Sequence, residues 1–265
     1  GENTLFVAAR DDVRSGLQPK GKQADQYYSS GCDYTRTTGI WQTVWLEFVP
    51  ETYLQYARYY PDPQNGCVTV SGLAKGEGTL RLTALWEGKP VGEKTTAVQD
   101  GFFTTQLDLE EIHLWEAGKG GLYTLLLSLE NDQVSSYFGL RTVAFQGRKF
   151  LLNGKPLFQR FVLDQGFYPD GIYTAPTEED LIQDITLSFA AGFNGARLHE
   201  KVFEPRFLYH CDRLGYLVWG EFPNWGLDHS HPLATEIVLN QWSEAVERDC
   251  NHPAIIGWCP FNETW

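Results

Sequence analysis

Asn251-His252-Pro253-Ala254-Ile255-Ile256-Gly257-Trp258-Cys259-Pro260-Phe261-Asn262-Glu263 is an apolar run that ends in an amide and a carboxylate. From 254 to 259 no residue is charged, which is the composition of a buried strand. A strand that delivers Asn262 and Glu263 at its C-terminal end is how a (β/α) barrel presents side chains to a ligand.

Upstream, strands and helices alternate. Strand-like 158–163 precedes a helix whose start is marked by Thr177 with Asp180 three residues on, a capping-box pair with the shorter acid. Ile182, Ile185 and Phe189 mark its buried face. Residues 195–198 read as a strand, 205–214 as a helix and 216–219 as a strand. In a third helix Val238, Trp242, Ala245 and Val246 share one face. With 254–259 these make four β/α units, hence a parallel sheet and the first half of an eight-fold barrel. A hairpin around Asn153-Gly154 leads into them.

Before residue 147 the period is two. Alternating runs at 67–71, 79–86, 102–107 and 122–129, separated by turns such as Gln64-Asn65-Gly66, predict an immunoglobulin-like β-sandwich over 51–146. Residues 1–50 hold two further strand-like stretches, 4–9 and 40–48, too few for a domain.

A formal charge of −13 and a pI near 4.9 exclude nucleic acid and an anionic membrane surface as partners, since both would repel such a surface. No apolar run approaches a membrane span. Nine Trp and thirteen Tyr suit a carbohydrate, whose C–H faces stack on aromatic rings, although packing in a β-rich core uses the same residues. The five cysteines are odd in number and lack a C-x-x-C pair, so buried free thiols are expected. Methionine is absent and Gly1 opens straight into strand-like sequence. An open half-barrel would leave strand edges and apolar core bare, so the chain is expected to belong to a longer protein, or to be completed by a partner chain. Homo-oligomerisation of the full-length form is left open.

The pattern Asn-His-Pro-x-Ile-Ile-x-Trp-x-x-x-Asn-Glu at 251–263, following these β/α units, resembles the acid/base strand of glycoside hydrolase family 2, the family of β-galactosidases, β-glucuronidases and β-mannosidases. Asp11-Asp12, Pro19-Lys20-Gly21-Lys22-Gln23 and the stretch 39–47 are similar to the closing strands of that family's N-terminal jelly roll. The resemblance implies three domains: the last strands of an incomplete jelly-roll, sugar-binding-like domain (1–50), the sandwich (51–146) and the N-terminal half of a catalytic TIM barrel (147–265).

It also implies a retaining exo-β-glycosidase, nearest to a β-galactosidase, with Glu263 as the general acid that becomes the base. The nucleophile would be a Glu outside this chain, leaving the segment inactive alone. Asn262 would meet the sugar's 2-hydroxyl, or merely end the strand. Arg197 and His199 lie two apart, on one face of their strand. By resemblance Arg197 orients the nucleophile and His199 faces the sugar, whereas a structural pairing of Arg197 with Glu200 or Glu221 is the alternative. Glu221 is read as support behind the pocket.

Asp164 and Gln165 stand where β-galactosidases carry Asn, Arg and His; they contact sugar hydroxyls or form a solvated loop. That departure keeps β-glucuronidase or β-mannosidase open as alternatives. Trp225 and Leu227 occupy the positions of the galactosidases' magnesium ligands, so neither a metal nor another cofactor is expected. Trp225 is the preferred stacking platform among Trp219, Trp225, Trp258 and Trp265, with Trp258 placed in the core. His210, His229 and His231 are read as surface groups. The competing class is a non-catalytic carbohydrate-binding scaffold with a degenerate barrel.

Overall fold

The computed structural model describes residues 2–264. Seven strands occupy its first half: β1 (Tyr53–Asp62), β2 (Cys67–Lys75), β3 (Gly78–Trp86), β4 (Lys89–Val98), β5 (Phe102–Asp108), β6 (Tyr123–Leu129) and β7 (Asp132–Phe138). They form two antiparallel sheets, β1-β2-β5 and β4-β3-β6-β7. The period-two pattern is the reason. Val68 and Val70 of β2, Leu80 and Leu82 of β3, and Leu125, Leu127 and Leu129 of β6 all turn into one shared core. At the β1–β2 turn, Asp62 Oδ1 accepts from the backbone N–H groups of Gln64 and Asn65, and Gly66 takes the positive φ that closes it.

A small antiparallel sheet follows, β8 (Val143–Gln146), β9 (Lys149–Leu152) and β10 (Lys155–Pro156). Its last turn is the expected Asn153-Gly154, both residues at positive φ.

The remaining elements alternate: β11 (Phe161–Asp164), α1 (Glu178–Ala190), β12 (Gly195–Leu198), α2 (Pro205–Leu214), β13 (Leu217–Glu221), α3 (Pro232–Asp249) and β14 (Ile255–Cys259). The four strands are parallel and adjacent in chain order. Thr177 and Asp180 form both bonds of the capping box. Pro205 opens α2, and Gly215 closes it in the left-handed region. On α1 the fully buried residues are Leu181, Ile185 and Ser188, with Ile182 and Phe189 only half covered. On α3 Ala234 and Val238 are buried, while Trp242, Ala245 and Val246 are half-buried.

The sandwich is fastened to the segment that leads into β14. Asp212, at the end of α2 and fully buried, accepts from the Tyr137 hydroxyl at 2.9 Å, meets His252 Nδ1 at 2.5 Å and accepts from Ala254 N at 2.8 Å. Arg141 donates to the carbonyls of Pro253 and Ile255. These bonds fix where β14 enters the sheet.

Residues 2–50 depart from expectation. The stretches 4–9 and 40–48 contain no strand, and Phe6, Trp45, Leu46 and Phe48 are exposed. Their composition suits a strand, but a strand exists only through pairing, and these stretches find no neighbouring strand among the described residues. The thiols differ too. Cys67 and Cys211 are buried, Cys259 is half-buried, and Cys32 and Cys250 are exposed because they lie in a loop and at a helix end.

Candidate active site

Parallel register sets the site. Leu163, Arg197 and Trp219 are aligned across β11, β12 and β13, and period-two alternation carries Glu221 and His199 to the same face at the strand ends. Arg197 Nε donates to Glu221 Oε2 at 2.5 Å, and His199 Nδ1 lies 2.9 Å from Oε1. The backbone N–H of Glu200 also donates to Oε1 at 3.1 Å. Burial alone would raise the Glu221 carboxyl, but the bonds from His199 and Arg197 outweigh it and hold the group below the usual carboxylate range. Of the two partners open to Arg197, the structure selects Glu221.

The guanidinium also reaches β14. Its Nη2 donates to Asn262 Oδ1 at 2.7 Å. The Asn262 backbone is clasped by the loop after β13: its N–H donates to Asn224 Oδ1 at 2.6 Å, and its carbonyl accepts from Asn224 Nδ2 at 3.2 Å and from Trp225 Nε1 at 3.3 Å. Asn262 is buried, yet its Nδ2 has no partner among the described residues. A buried amide donor left unpaired is expensive unless a ligand takes it. Glu263 follows directly, exposed and at φ 51°, a left-handed conformation that non-glycine residues adopt at a cost. The site thus sets an unused buried donor beside an exposed carboxyl, an arrangement suited to a hydroxyl-bearing ligand with a bond to be protonated.

The N-terminal segment closes over these strand ends. Lys20 and Gly21 donate from their backbone N–H groups to the Trp225 carbonyl, Asp228 N donates to the Gly16 carbonyl at 2.7 Å, and the Tyr34 ring lies 4.6 Å from that of Phe167. The buried Lys22 sets its Nζ 3.4 Å from the centroid of the Trp225 ring. This narrows the expectation for Trp225 to its other face. The ring face under Lys22 is closed to a sugar, because a loop distant in sequence occupies it. Glu200 Oε2 accepts from Trp225 N at 3.1 Å, and burial pushes the Glu200 carboxyl up to about 8.

The other expected residues lie elsewhere. Asp164 is aligned with Leu198, on the opposite face of the sheet from Arg197. It lines a surface cavity of about 420 Å³ that it shares with Asp184 and Leu187 of α1. Desolvation raises its carboxyl to about 6. Gln165 lines the same cavity. Trp219 shares the face of Arg197, and Trp258 is 37% exposed, meeting Trp242 edge-on because α3 covers only part of it. Trp265 lies outside the described residues.

His210 is buried, contrary to its surface reading, because Glu178 at the start of α1 accepts its ring at 2.9 Å. His229 is exposed beside Asn224, and His231 caps α3. Trp225 spends its indole N–H on Asn262, and Leu227 is buried and apolar; neither offers a ligand to a metal ion. Among the described residues no group of three His, Cys, Asp or Glu side chains is placed to hold one. Sequence reasoning missed Asn224 and Lys22 and offered Glu200 only as a partner for Arg197. A motif at the strand ends gives no signal for groups recruited from two other loops.

Residues 61–141 match the family described as Glycosyl hydrolases family 2. A β-galactosidase of Vibrio vulnificus (strain YJ016) is 32% identical over 100% of this chain and 27% of its own length. A β-galactosidase of Thermoanaerobacterium thermosulfurigenes is 27% identical over 97% of this chain and 37% of its own. A solved structure of a Ruminococcus gnavus β-glucuronidase in complex with uronic deoxynojirimycin superposes with a TM-score of 0.73, covering 82% of this chain and 38% of that one. At 21% identity this last likeness is one of fold. The chain therefore spans well under half the length of the proteins it matches. Over the segment that these matches cover, it belongs to glycoside hydrolase family 2.

Proposed function

We propose that this chain is the acid/base-bearing part of a retaining exo-β-glycosidase that acts most like a β-galactosidase. Glu263 protonates the glycosidic oxygen as it leaves, while a carboxylate from outside residues 1–265 attacks the anomeric carbon. Water then cleaves the glycosyl-enzyme, with Glu263 taking its proton. Asn262 Nδ2 donates to the 2-hydroxyl, an interaction that strengthens as the ring becomes oxocarbenium-like. The observation that carries this reading is the pairing of that unused, buried donor with the exposed carboxyl next to it. Arg197, Glu221 and His199 act behind them, fixing Asn262 through its Oδ1.

In domain language, four adjacent parallel strands with intervening helices support the first half of a TIM barrel at 147–265. The seven-stranded sandwich supports an immunoglobulin-like domain at 51–146, and residues 1–50 are read as the end of a jelly roll. A β-glucuronidase of Mus musculus that is 27% identical over 94% of this chain makes a uronic-acid substrate the second reading. No metal or cofactor takes part in either.

The test is Glu263→Gln in the complete protein, assayed on aryl β-glycosides of graded leaving-group ability. Turnover of a poor leaving group is expected to fall about 10²-fold or more, with a far smaller loss for an activated one. Undiminished turnover of the poor leaving group would remove Glu263 from the role. Running galactosides and glucuronides side by side decides between the two substrates.

A further inference from the structure

Trp225 is engaged at every handle it has. Its N–H donates to Glu200 Oε2 at 3.1 Å, and its carbonyl accepts from Lys20 N at 2.8 Å and Gly21 N at 3.3 Å. Its indole Nε1 donates to the Asn262 carbonyl at 3.3 Å, and one ring face carries Lys22 Nζ at 3.4 Å from the centroid. Through backbone and ring together, Trp225 therefore joins three segments far apart in sequence: the loop at 20–22, the end of β12 and the end of β14. Lys22 is only 4% exposed, and no carboxylate lies within salt-bridge distance of it among the described residues. A buried ammonium is costly unless compensated, and the only carboxyl shown to feel the Lys22 charge, that of Glu200, does so from beyond contact distance. The electron-rich indole face offsets part of that cost, and it does so more strongly the drier the contact. The Lys22 backbone is itself fixed, since its carbonyl accepts from Tyr34 N at 2.7 Å.

We propose that Lys22 is a positioning residue for the acid/base end of β14. Through its ion-on-ring contact it holds the Trp225 indole where Nε1 anchors the Asn262 carbonyl, and so fixes the peptide from which Glu263 departs. Lys22 touches neither substrate nor reacting atoms and acts only through Trp225. The consequence is specific. Loss of Lys22 loosens proton delivery more than sugar binding, so the damage scales with how much a leaving group needs its proton.

This inference rests on the reading of Glu263 given above, and its test keeps the two separable. In the complete protein, Lys22→Met retains the aliphatic stem and removes the charge, whereas Lys22→Arg restores a cation over the ring. With a poor aryl leaving group, kcat of Lys22→Met is expected to fall about tenfold with KM within about twofold. An activated leaving group should show little loss, and Lys22→Arg should recover most of the activity. Equal loss for both leaving groups, or an Arg variant no better than the Met variant, would mean that Lys22 supports the fold alone and overturns the proposal. Wild-type kcat in Lys22→Met overturns it as well.

If Lys22→Met does not fold, Trp225→Phe decides. It keeps a ring beneath Lys22 and deletes the donor to Asn262. A leaving-group-dependent loss supports the relay; a uniform loss, or none, overturns it. Glu263→Gln runs in parallel. If that variant is inactive while Lys22→Met is normal, only the positioning role fails, whereas full activity in Glu263→Gln removes the functional reading first.

Discussion

Arg197 and Asn262 are joined by one hydrogen bond, Nη2 to Oδ1 at 2.7 Å, which commits the acceptor half of the amide and leaves its donor half free. The two halves are separable by substitution. Asn262→Asp keeps an oxygen for Arg197, adds charge attraction and deletes Nδ2. In the complete protein its Tm is expected to stay within about 4 °C of wild type, while kcat/KM falls about 10²-fold with the loss of the 2-hydroxyl contact. Thermal melts and steady-state kinetics check both halves. A variant that melts normally and turns over normally would show that the free donor has no ligand.

Removing the other partner has a different signature. Glu221 has a fully buried side chain and relies on Arg197, His199 and the Glu200 N–H. Arg197→Met strips one charged partner from a buried carboxylate and is expected to destabilise by about 2–4 kcal/mol at pH 7. The pH dependence has a fixed sign. Because the native environment holds Glu221 below its ordinary value, its stabilisation is present above the unfolded carboxylate pKa and is lost as pH falls through the native one. The deficit of Arg197→Met should therefore shrink as the pH is lowered below about 4.3, where Glu221 protonates in the unfolded chain. Denaturant melts across that range test it, and a pH-independent deficit would mean that packing rather than charge is lost.

Glu200 runs in the opposite direction. Burial raises its carboxyl to about 8, so the native state prefers it neutral, and stability is lost as pH rises from the unfolded value of about 4.3 through that native value. Glu200→Gln keeps an oxygen for the Trp225 N–H and removes the ionisation. It is expected to match wild type near pH 5 and to gain on it as the pH rises, by up to about 1.4 kcal/mol per pH unit between about pH 5 and 8. A Tm difference that does not grow with pH would count against a buried, neutral Glu200.

These residues also mark what the sequence makes legible. The four parallel strands follow from apolar runs alternating with helical periods, and the Arg197, His199 and Glu221 face follows from two-residue spacing at strand ends. Such information is local. Asn224, Glu200 and Lys22 act through contacts between loops separated by up to two hundred residues, where no periodicity constrains them. The cover on one face of the Trp225 ring is illegible for the same reason: it comes from a lysine of the N-terminal loop. His210 looked like a surface group because the carboxylate that draws it inward, Glu178, lies on another helix. Stretches 4–9 and 40–48 show the converse limit, a strand-forming composition without a neighbouring strand to pair with.

The loop that carries Lys22 turns at Gly21, and there two effects can be isolated. Gly21 has φ 57°, and a Cβ at that position would stand 2.2 Å from the Glu200 carbonyl oxygen. Gly31 has nearly the same φ, 59°, with nothing within 4 Å of its would-be Cβ. Alanine at Gly31 therefore meets only the left-handed strain, about 1–2 kcal/mol, and is expected to leave activity intact. Alanine at Gly21 meets the same strain plus a clash with backbone that cannot rotate away. The loop at 20–22 must lift from Trp225, adding about 1–3 kcal/mol. Gly21→Ala should thus lose more stability than Gly31→Ala and, if Lys22 positions the acid/base strand, should reproduce the leaving-group-dependent loss of Lys22→Met. Equal melting temperatures for the two alanine variants would show that the loop at 20–22 does not bear on the strand ends.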